Sequence, residues 1–427
     1  MKQDHITGEK SSVANSTNSI NNAEAFKERE TKKSMRLASK FRESLRYEQM
    51  DFWLLLSIIL LLGIGTMMVF SASTASAYRL TETSTAYTIL TKQLGYVSLG
   101  LVVMFIFAKV NYKFWARFTI PFFAASMLLL VMVLLFGLVR NNARRWINLG
   151  IEFQPSEIFK IALIFFLAYV FSRPGLAYKA QRLMGIVIYL IPIGAAFVLI
   201  MLQPHMSCLV ICGFVLIVMM FAGKVKMPTY IAIILLGAML IGGFLLISHF
   251  FPDLIKSDKL SFEYIAERLA VFFNKEEGAG SGADDYQIKQ SLYAIGSGGL
   301  FGRGFGQGIQ KYLYLPEPYN DFIFSILAEE LGFVGVSVVI LLFALFIFRG
   351  YKIAANAPDR FGSLAAFGIT SLIAIQVLMN LAVVSASMPV TGISLPLFSY
   401  GGTSLVIMLA AMGVLLNISK QSHYNKF

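Results

Sequence analysis

Asp321 stands where a long polar loop enters an apolar run, within Leu315-Pro-Glu-Pro-Tyr-Asn-Asp-Phe-Ile-Phe324. A carboxylate at such a junction has three uses. It caps a helix, takes a proton from a hydroxyl nucleophile, or holds a divalent cation such as Mg2+ or Mn2+. Capping alone leaves Glu317 and Asn320 beside it, and nearby Arg303, without a purpose.

A second group is cationic. Arg140, Arg144 and Arg145 precede Trp146, and Gln154-Pro155-Ser156-Glu157 leads to Lys160. Arginine binds phosphate oxygens bidentately, and an indole stacks on a sugar or sits at a membrane interface. Pro155 and Ser156 suit a helix start, so Glu157 and Lys160 share one face. They form either a helix-stabilising pair or a functional pair at membrane depth.

Two Gly-rich stretches complete the set. Gly296-Ser-Gly-Gly-Leu-Phe-Gly-Arg-Gly-Phe-Gly-Gln-Gly308 lacks the Gly-Lys-Ser/Thr ending of a phosphate loop, so no nucleotide cofactor is expected. It reads as a flexible backbone closing over an extended substrate. Met388 to Ser404, with Ser399, Tyr400, Gly401 and Gly402, reads as a re-entrant loop lining a cavity or as a plain Pro/Gly loop. Asn380 lies two turns before it. Glu329 and Glu330 would be costly facing lipid, so at least one should face a cavity or a neighbouring helix.

The elements that must position these residues are apolar helices. The chain has 427 residues, 57% hydrophobic and only 14% charged, with a mean hydropathy of +0.68. Apolar runs of about 20 residues recur, which excludes an ordinary soluble enzyme. The net charge of +12 lies mostly in the N-terminal tail and short loops, where anionic lipid headgroups account for it without nucleic acid. Cys208 and Cys212, four apart, read as packing residues. The four histidines are scattered and suggest no ligand cluster.

The expected fold is therefore all-α, a polytopic integral membrane protein with ten spans: 52–71, 93–110, 116–139, 156–172, 185–202, 207–223, 227–250, 321–348, 362–386 and 399–418. The Ser/Ala stretch after the first run imitates a signal-peptidase site, but its length and charged prelude favour an uncleaved span. Lys109, Lys113, Arg117, Arg173, Lys179, Arg182, Lys224, Lys226, Arg349, Lys352 and Arg360 all fall on the side of the basic tail. Both termini are thus expected in the cytoplasm, which leaves the Arg144-Arg145 loop and a large loop, 251–320, outside. The domain reading is 1–48 a basic cytoplasmic tail, 49–420 the membrane domain and 421–427 a short tail. Residues 1–23 lack the apolar content for a core. Residues 24–49 form either a helix on the inner leaflet or a solvated charged segment.

These stretches, in this order over roughly residues 50–420, resemble the SEDS family (shape, elongation, division and sporulation). The resemblance rests on Arg-Trp-Ile-x-Leu-Gly, Gln-Pro-Ser-Glu-x-x-Lys, Gly-Ser-Gly-Gly-Leu-Phe-Gly, Leu-Pro-Glu-Pro-x-x-Asp-Phe-Ile-Phe, Ala-Glu-Glu-Leu-Gly, Pro-Val-Thr-Gly-Ile-Ser-Leu-Pro and Ser-Tyr-Gly-Gly. Gln203-Pro-His-Met-Ser207 and Gln310-Lys-Tyr-Leu-Tyr-Leu-Pro-Glu-Pro318 look more like the FtsW/SpoVE branch than RodA. The resemblance implies a peptidoglycan glycosyltransferase using lipid II at the outer face of a bacterial cytoplasmic membrane. It also implies a class B penicillin-binding protein as transpeptidase partner, other division proteins, and a place at the septum. The family's catalytic aspartate matches Asp321.

The expected chemistry is inverting glycosyl transfer, with Asp321 as base or cation ligand and Arg144, Arg145 and Lys160 on the pyrophosphate. Trp146, Gln154, Ser156, Glu157, Glu317, Asn320, Ser399, Tyr400, Gly401 and Gly402 complete the expected binding site. Two rival readings are a lipid II transporter, which also uses broken helices and basic residues, and a non-catalytic scaffold that recruits a transpeptidase.

Overall fold

The computed structural model describes residues 50–422 except 81–85, 141–142, 149, 151, 181–182, 204, 233, 236–282, 313 and 317. The basic tail, most of the seventh expected span, much of the 251–320 loop, Glu317 and residues 423–427 lie outside the described residues.

The apolar runs become helices: α1 (Phe52–Leu80), α2 (Ala86–Lys109), α3 (Tyr112–Phe136), α4 (Pro155–Ser172), α5 (Pro174–Ala180), α6 (Leu183–Leu202), α7 (Met206–Ala222), α8 (Ala283–Gly298), α9 (Ile323–Ala355), α10 (Arg360–Val384) and α11 (Thr403–Gln421). Among the described residues, eight helices (α1–α4, α6 and α9–α11) are long and apolar enough to cross a membrane, and α7 is apolar but shorter. This is a mostly helical polytopic membrane protein.

An all-α chain needs one correction. Residues 138–153 form a three-stranded antiparallel sheet, β1 (Leu138–Arg140), β2 (Ala143–Asn148) and β3 (Glu152–Phe153). Trp146 pairs with Leu138, and Ile147 with Phe153. The alternation of Arg144, Arg145, Trp146 and Ile147 suits a strand, and Ile147 supplies the buried anchor.

Element boundaries also differ. The α1 helix runs past 71 because its Ser/Ala tail loses hydropathy without losing helix propensity. The expected 321–348 span is two helical segments broken at Gly332, whose φ of 63° and ψ of −166° suit only glycine. A side chain there would meet Gly302 N and Leu300 O. The last helix starts at Thr403 rather than 399, after Gly402 at φ 49°.

Polar clamps tie the bundle at both ends. At one end Asp51 receives Arg349 Nε on both carboxylate oxygens at 3.1 Å, and its backbone N–H donates to Ser419 Oγ. Asn417 accepts from Tyr112 N and donates to Ala108 O, and the Tyr112 hydroxyl donates to Asp359. This end therefore joins the residue before α1 to α2, α3, α9, α10 and α11. At the other end Lys311 Nζ lies 2.7 Å from Glu330 Oε1 and donates to Ser71 Oγ and Gly306 O. Glu329 accepts from the backbone N–H groups of Ile309 and Gln310. Both glutamates are buried, so neither faces lipid.

Lys311→Met leaves the Glu330 carboxylate buried without its counter-charge. It should cost ~3–5 kcal/mol, and Lys311→Met with Glu330→Leu should recover most of that. Melting temperatures in nanodiscs measure both effects.

Candidate functional site

The site lies at the end of the bundle where α4 and α7 begin and α10 finishes. Between α10 and α11, residues 385–402 are non-helical, with positive φ at Ala386, Gly392, Leu397 and Gly402. This segment dips into the bundle. A side chain at Gly65 would strike Leu397 O and Phe398 Cα. Gly65 is 13 residues, or roughly 20 Å, along α1 from Phe52. Irregular backbone at that depth must be satisfied by protein, and the reading of a re-entrant loop agrees with this placement.

Its partners are the residues that hold Asp321. Asn380 Nδ2 donates to Asp321 O at 2.8 Å and to Ile393 O at 2.7 Å. The Ser399 hydroxyl donates to Asn320 O and accepts from Leu395 N. Tyr400 N donates to Tyr319 O, and the two rings meet edge to face. The Asp321 carboxylate then faces Gly392, where a Cβ would stand 3.2 Å from Oδ2. Ser207, at the start of α7, donates to Thr391 O beside that glycine.

From Ser207 the chain leads to the cationic group. His205 precedes α7, and its Nδ1 lies 3.1 Å from Ser156 Oγ. Gln154 Nε2 sits 3.4 and 3.3 Å from the two ring nitrogens. Burial, then the positive charges of Arg145 and Lys160, hold the His205 imidazole well below the usual histidine range. Lys160 Nζ pairs with Glu157 at 2.8 Å. Glu157 lines a small, partly open cleft with Gln376, Ser394, Ser399, Gly401 and Ser404. The contacts and the cleft together trace a ring: the α4 start, His205 and Ser207, Gly392, Asp321, Ser399 and, across the cleft, Glu157.

Of the residues expected at a site, Gln154, Ser156, Glu157, Lys160, Asn320, Asp321, Ser399 and Gly401 lie on this ring or its cleft, and the charge of Arg145 is felt at His205. Arg144 does not join them: it is exposed and reaches back to Leu134 O. Tyr400 and Gly402 back onto Tyr96, and burial raises the Tyr400 phenol above its usual range, with Tyr96 adding to the effect. Trp146 is half-buried on β2. Glu317 is outside the described residues.

Part of the Gly-rich stretch is tied to α9. The Gly-rich backbone bonds to Glu329 O, Glu330 O and the Glu330 carboxylate through the N–H groups of Arg303, Gly304 and Gly306. Cys208 and Cys212 are buried free thiols, as their spacing suggested. His205, Ser207, Gly392 and Gln376 were missed as site residues. The one available signal was Gln203-Pro-His-Met-Ser207, a polar interruption between two apolar runs.

Among the described residues no three His, Cys, Asp or Glu side chains cluster to bind a metal. Asp321 nevertheless fits a cation held by one carboxylate together with substrate oxygens. The buried Asn380 Oδ1 and Thr391 Oγ1 are hard oxygen atoms that lack a hydrogen-bond partner.

A helical bundle with a non-helical loop at depth and a cluster of ionisable side chains beside it defines a polytopic membrane protein with a polar site at one end. The family model described as "Cell cycle protein", covering FtsW, RodA and SpoVE, matches residues 52–424. The chain belongs to the FtsW/RodA/SpoVE family of cell cycle proteins, the SEDS family. It is 41% identical over 379 residues to stage V sporulation protein E of Bacillus subtilis, covering 88% of this chain and 98% of that one. It is 37% identical over 386 residues to the probable peptidoglycan glycosyltransferase FtsW of Trichlorobacter lovleyi, covering 88% and 95%. A chain from a structure described as "Structural coordination of polymerization and crosslinking by a peptidoglycan synthase complex" superposes with a TM-score of 0.69 at 26% identity, covering 88% of this chain and 99% of that one. Rod shape determining protein RodA of Thermus thermophilus superposes with a TM-score of 0.59 at 26% identity and the same coverage.

A neutral, buried His205 ties stability to pH. Its folded pKa lies below the unfolded value of about 6.5, so below that pH the unfolded chain binds more protons and is favoured. Melting temperature should hold steady above about pH 6.5 and fall as pH drops through it, by less in His205→Gln.

Proposed function

We propose that this protein is a peptidoglycan glycosyltransferase that polymerises lipid II into glycan strands. The observation that carries the proposal is the run of contacts from the Asp321 carboxylate through Gly392, Ser207 and His205 to the start of α4, where Lys160 pairs with Glu157. An acid and a cationic pocket on one rim are what transfer from a sugar pyrophosphate requires. The names of the relatives point the same way.

In this reading the chain crosses the membrane ten times with both termini in the cytoplasm, as its loop charges favour. The ring then faces outward. Gln376, on the cleft, precedes the end of α10 by eight residues, or roughly 12 Å of helix. The pyrophosphate is therefore drawn below the rim while the prenyl chains stay in lipid.

Asp321 removes the proton from the 4-hydroxyl of the acceptor N-acetylglucosamine. That oxygen attacks the anomeric carbon of the second lipid II with inversion. The bond to pyrophosphate breaks, and Arg145 and Lys160 offset the charge gained by the leaving group. Lys160 can turn from Glu157 to the anion because the cleft solvates the carboxylate it leaves. One carboxylate suffices, since no glycosyl-enzyme bond forms. A divalent cation, Mg2+ or Mn2+, held by Asp321 would supply Lewis-acid stabilisation of phosphoryl oxygens.

The partner in this reading is a class B penicillin-binding protein, in keeping with a structural neighbour described as coordinating polymerization and crosslinking. Other division proteins and membrane lipids surround the pair at the septum of a bacterial cytoplasmic membrane.

Purified protein with its transpeptidase partner, labelled lipid II and a divalent cation should yield long glycan strands. Asp321→Asn should lose at least ~100-fold in polymerisation rate while retaining lipid II binding. Arg145→Ala should lose ~100-fold, with binding also weakened. Full polymerisation by Asp321→Asn would sink the reading. Lipid II crossing vesicles without polymer formation would favour a transporter.

A further inference from the structure

Glu329 and Glu330 are buried carboxylates near the start of α9, and the glycosyl-transfer reading gives them no task. Glu329 Oε1 accepts from Ile309 N at 2.8 Å, and Oε2 accepts from Gln310 N at 3.1 Å. Glu330 Oε2 accepts from Gly306 N at 3.0 Å, and Oε1 accepts from the Lys311 ammonium at 2.7 Å. Ser71 of α1 donates to the Glu330 carboxylate and accepts from Lys311. Three of these bonds run to loop backbone rather than to another helix. A group whose purpose was to join α9 to α1 would need only the link to Ser71.

That backbone leads to Asp321. The chain crosses α9 at Arg303 and Gly304, whose N–H groups donate to Glu329 O and Glu330 O. It then returns to the start of the same helix through Asp321. The chain from Arg303 to Asp321 is thus a strap with both feet on one short helical segment, which ends at the Gly332 break. One foot is tied by Ser399 to Asn320 O, by Tyr400 N to Tyr319 O and by Asn380 to Asp321 O. The other is tied by Glu329 and by the group of Glu330, Lys311 and Ser71. The fit there is close, because a Cβ on Gly308 would stand 3.0 Å from Glu330 Oε1 and 3.1 Å from Glu329 Oε2. Within the segment, the Ser325 hydroxyl meets Ser291 of α8, which donates to Val384 O at the end of α10.

We propose that Glu329, backed by Glu330, Lys311 and Ser71, is a positioning residue for the Asp321 carboxylate. It fixes the foot of the strap remote from Asp321, so that the acid is presented to the acceptor hydroxyl in one geometry. The inference deepens the glycosyl-transfer reading and rests on Asp321 as the base of that reaction. A carboxylate suits the task, since it accepts from two successive N–H groups and its charge strengthens both bonds. The Lys311 ammonium offsets the burial of the neighbouring carboxylate. No proton passes through the group. It acts on reach alone, and a shift of about 1 Å in a reacting group costs up to ~100-fold in rate.

The test uses the full-length protein in nanodiscs with its transpeptidase partner and labelled lipid II. Glu329→Gln replaces one acceptor oxygen by an NH2. Ser71→Ala removes the hydroxyl beside Lys311 and Glu330, and serves if Glu329→Gln does not fold. Each should lower the polymerisation rate at saturating lipid II by about 10- to 100-fold and leave the half-saturating concentration unchanged. Amide hydrogen exchange should quicken at Gly306, Ile309 and Gln310, and also at Tyr400, whose N–H reports on the other foot of the strap. Ser419→Ala, which breaks a bond of the Asp51 clamp, is the control for stability alone and should keep its rate. Unchanged rates in both strap variants, an equal rate loss in Ser419→Ala, or exchange that quickens at 306–310 without reaching Tyr400 overturns the proposal and leaves the glycosyl-transfer reading standing. Full polymerisation by Asp321→Asn removes that reading and this inference with it.

Discussion

Backbone that leaves the helix inside an apolar bundle must find partners there, and this constraint shapes the site. Residues 385–402 carry N–H and C=O groups that lipid cannot satisfy. Asn380, Ser399 and Ser207 meet part of that need, and the same bonds hold Asn320 and Asp321. The acid is positioned as a by-product of closing the loop. Small residues make the approach feasible: Gly65 admits Leu397 and Phe398 against α1, and Gly392 admits the carboxylate itself.

Charge is distributed on the same principle. Buried ions are tolerated when paired, and Asp51–Arg349 and Lys311–Glu330 are pairs with further hydrogen bonds. At the α4 end Lys160 pairs with Glu157, and burial, with Arg145 and Lys160 adding to it, keeps the His205 imidazole neutral.

Hydropathy made most of the long helices legible in the chain, and residue type alone singled out Arg145, Lys160 and Asp321 as candidates for phosphate and acid chemistry. The sheet at 138–153 was not legible, because a short strand set between long apolar runs reads as a loop. The break at Gly332 was hidden because a lone glycine inside an apolar run usually marks nothing. Arg144 and Arg145 are adjacent and chemically alike, yet strand alternation sends them to opposite faces, a distinction composition does not carry. His205 was passed over because its meaning depends on Ser156 and Arg145, which are 49 and 60 residues away.

The clamp around Asp51 bears on traffic through the bundle. With the neighbouring Tyr112 it fastens five helices at the end away from the site, through the Asp51–Arg349 ion pair and bonds to Ser419, Asn417 and Asp359. A carrier that alternates its mouth between compartments would have to unfasten all of these and expose a buried guanidinium and carboxylate on every cycle. A polymerase has no such need. Its cargo arrives, reacts and departs through a single doorway, and the floor can stay bolted.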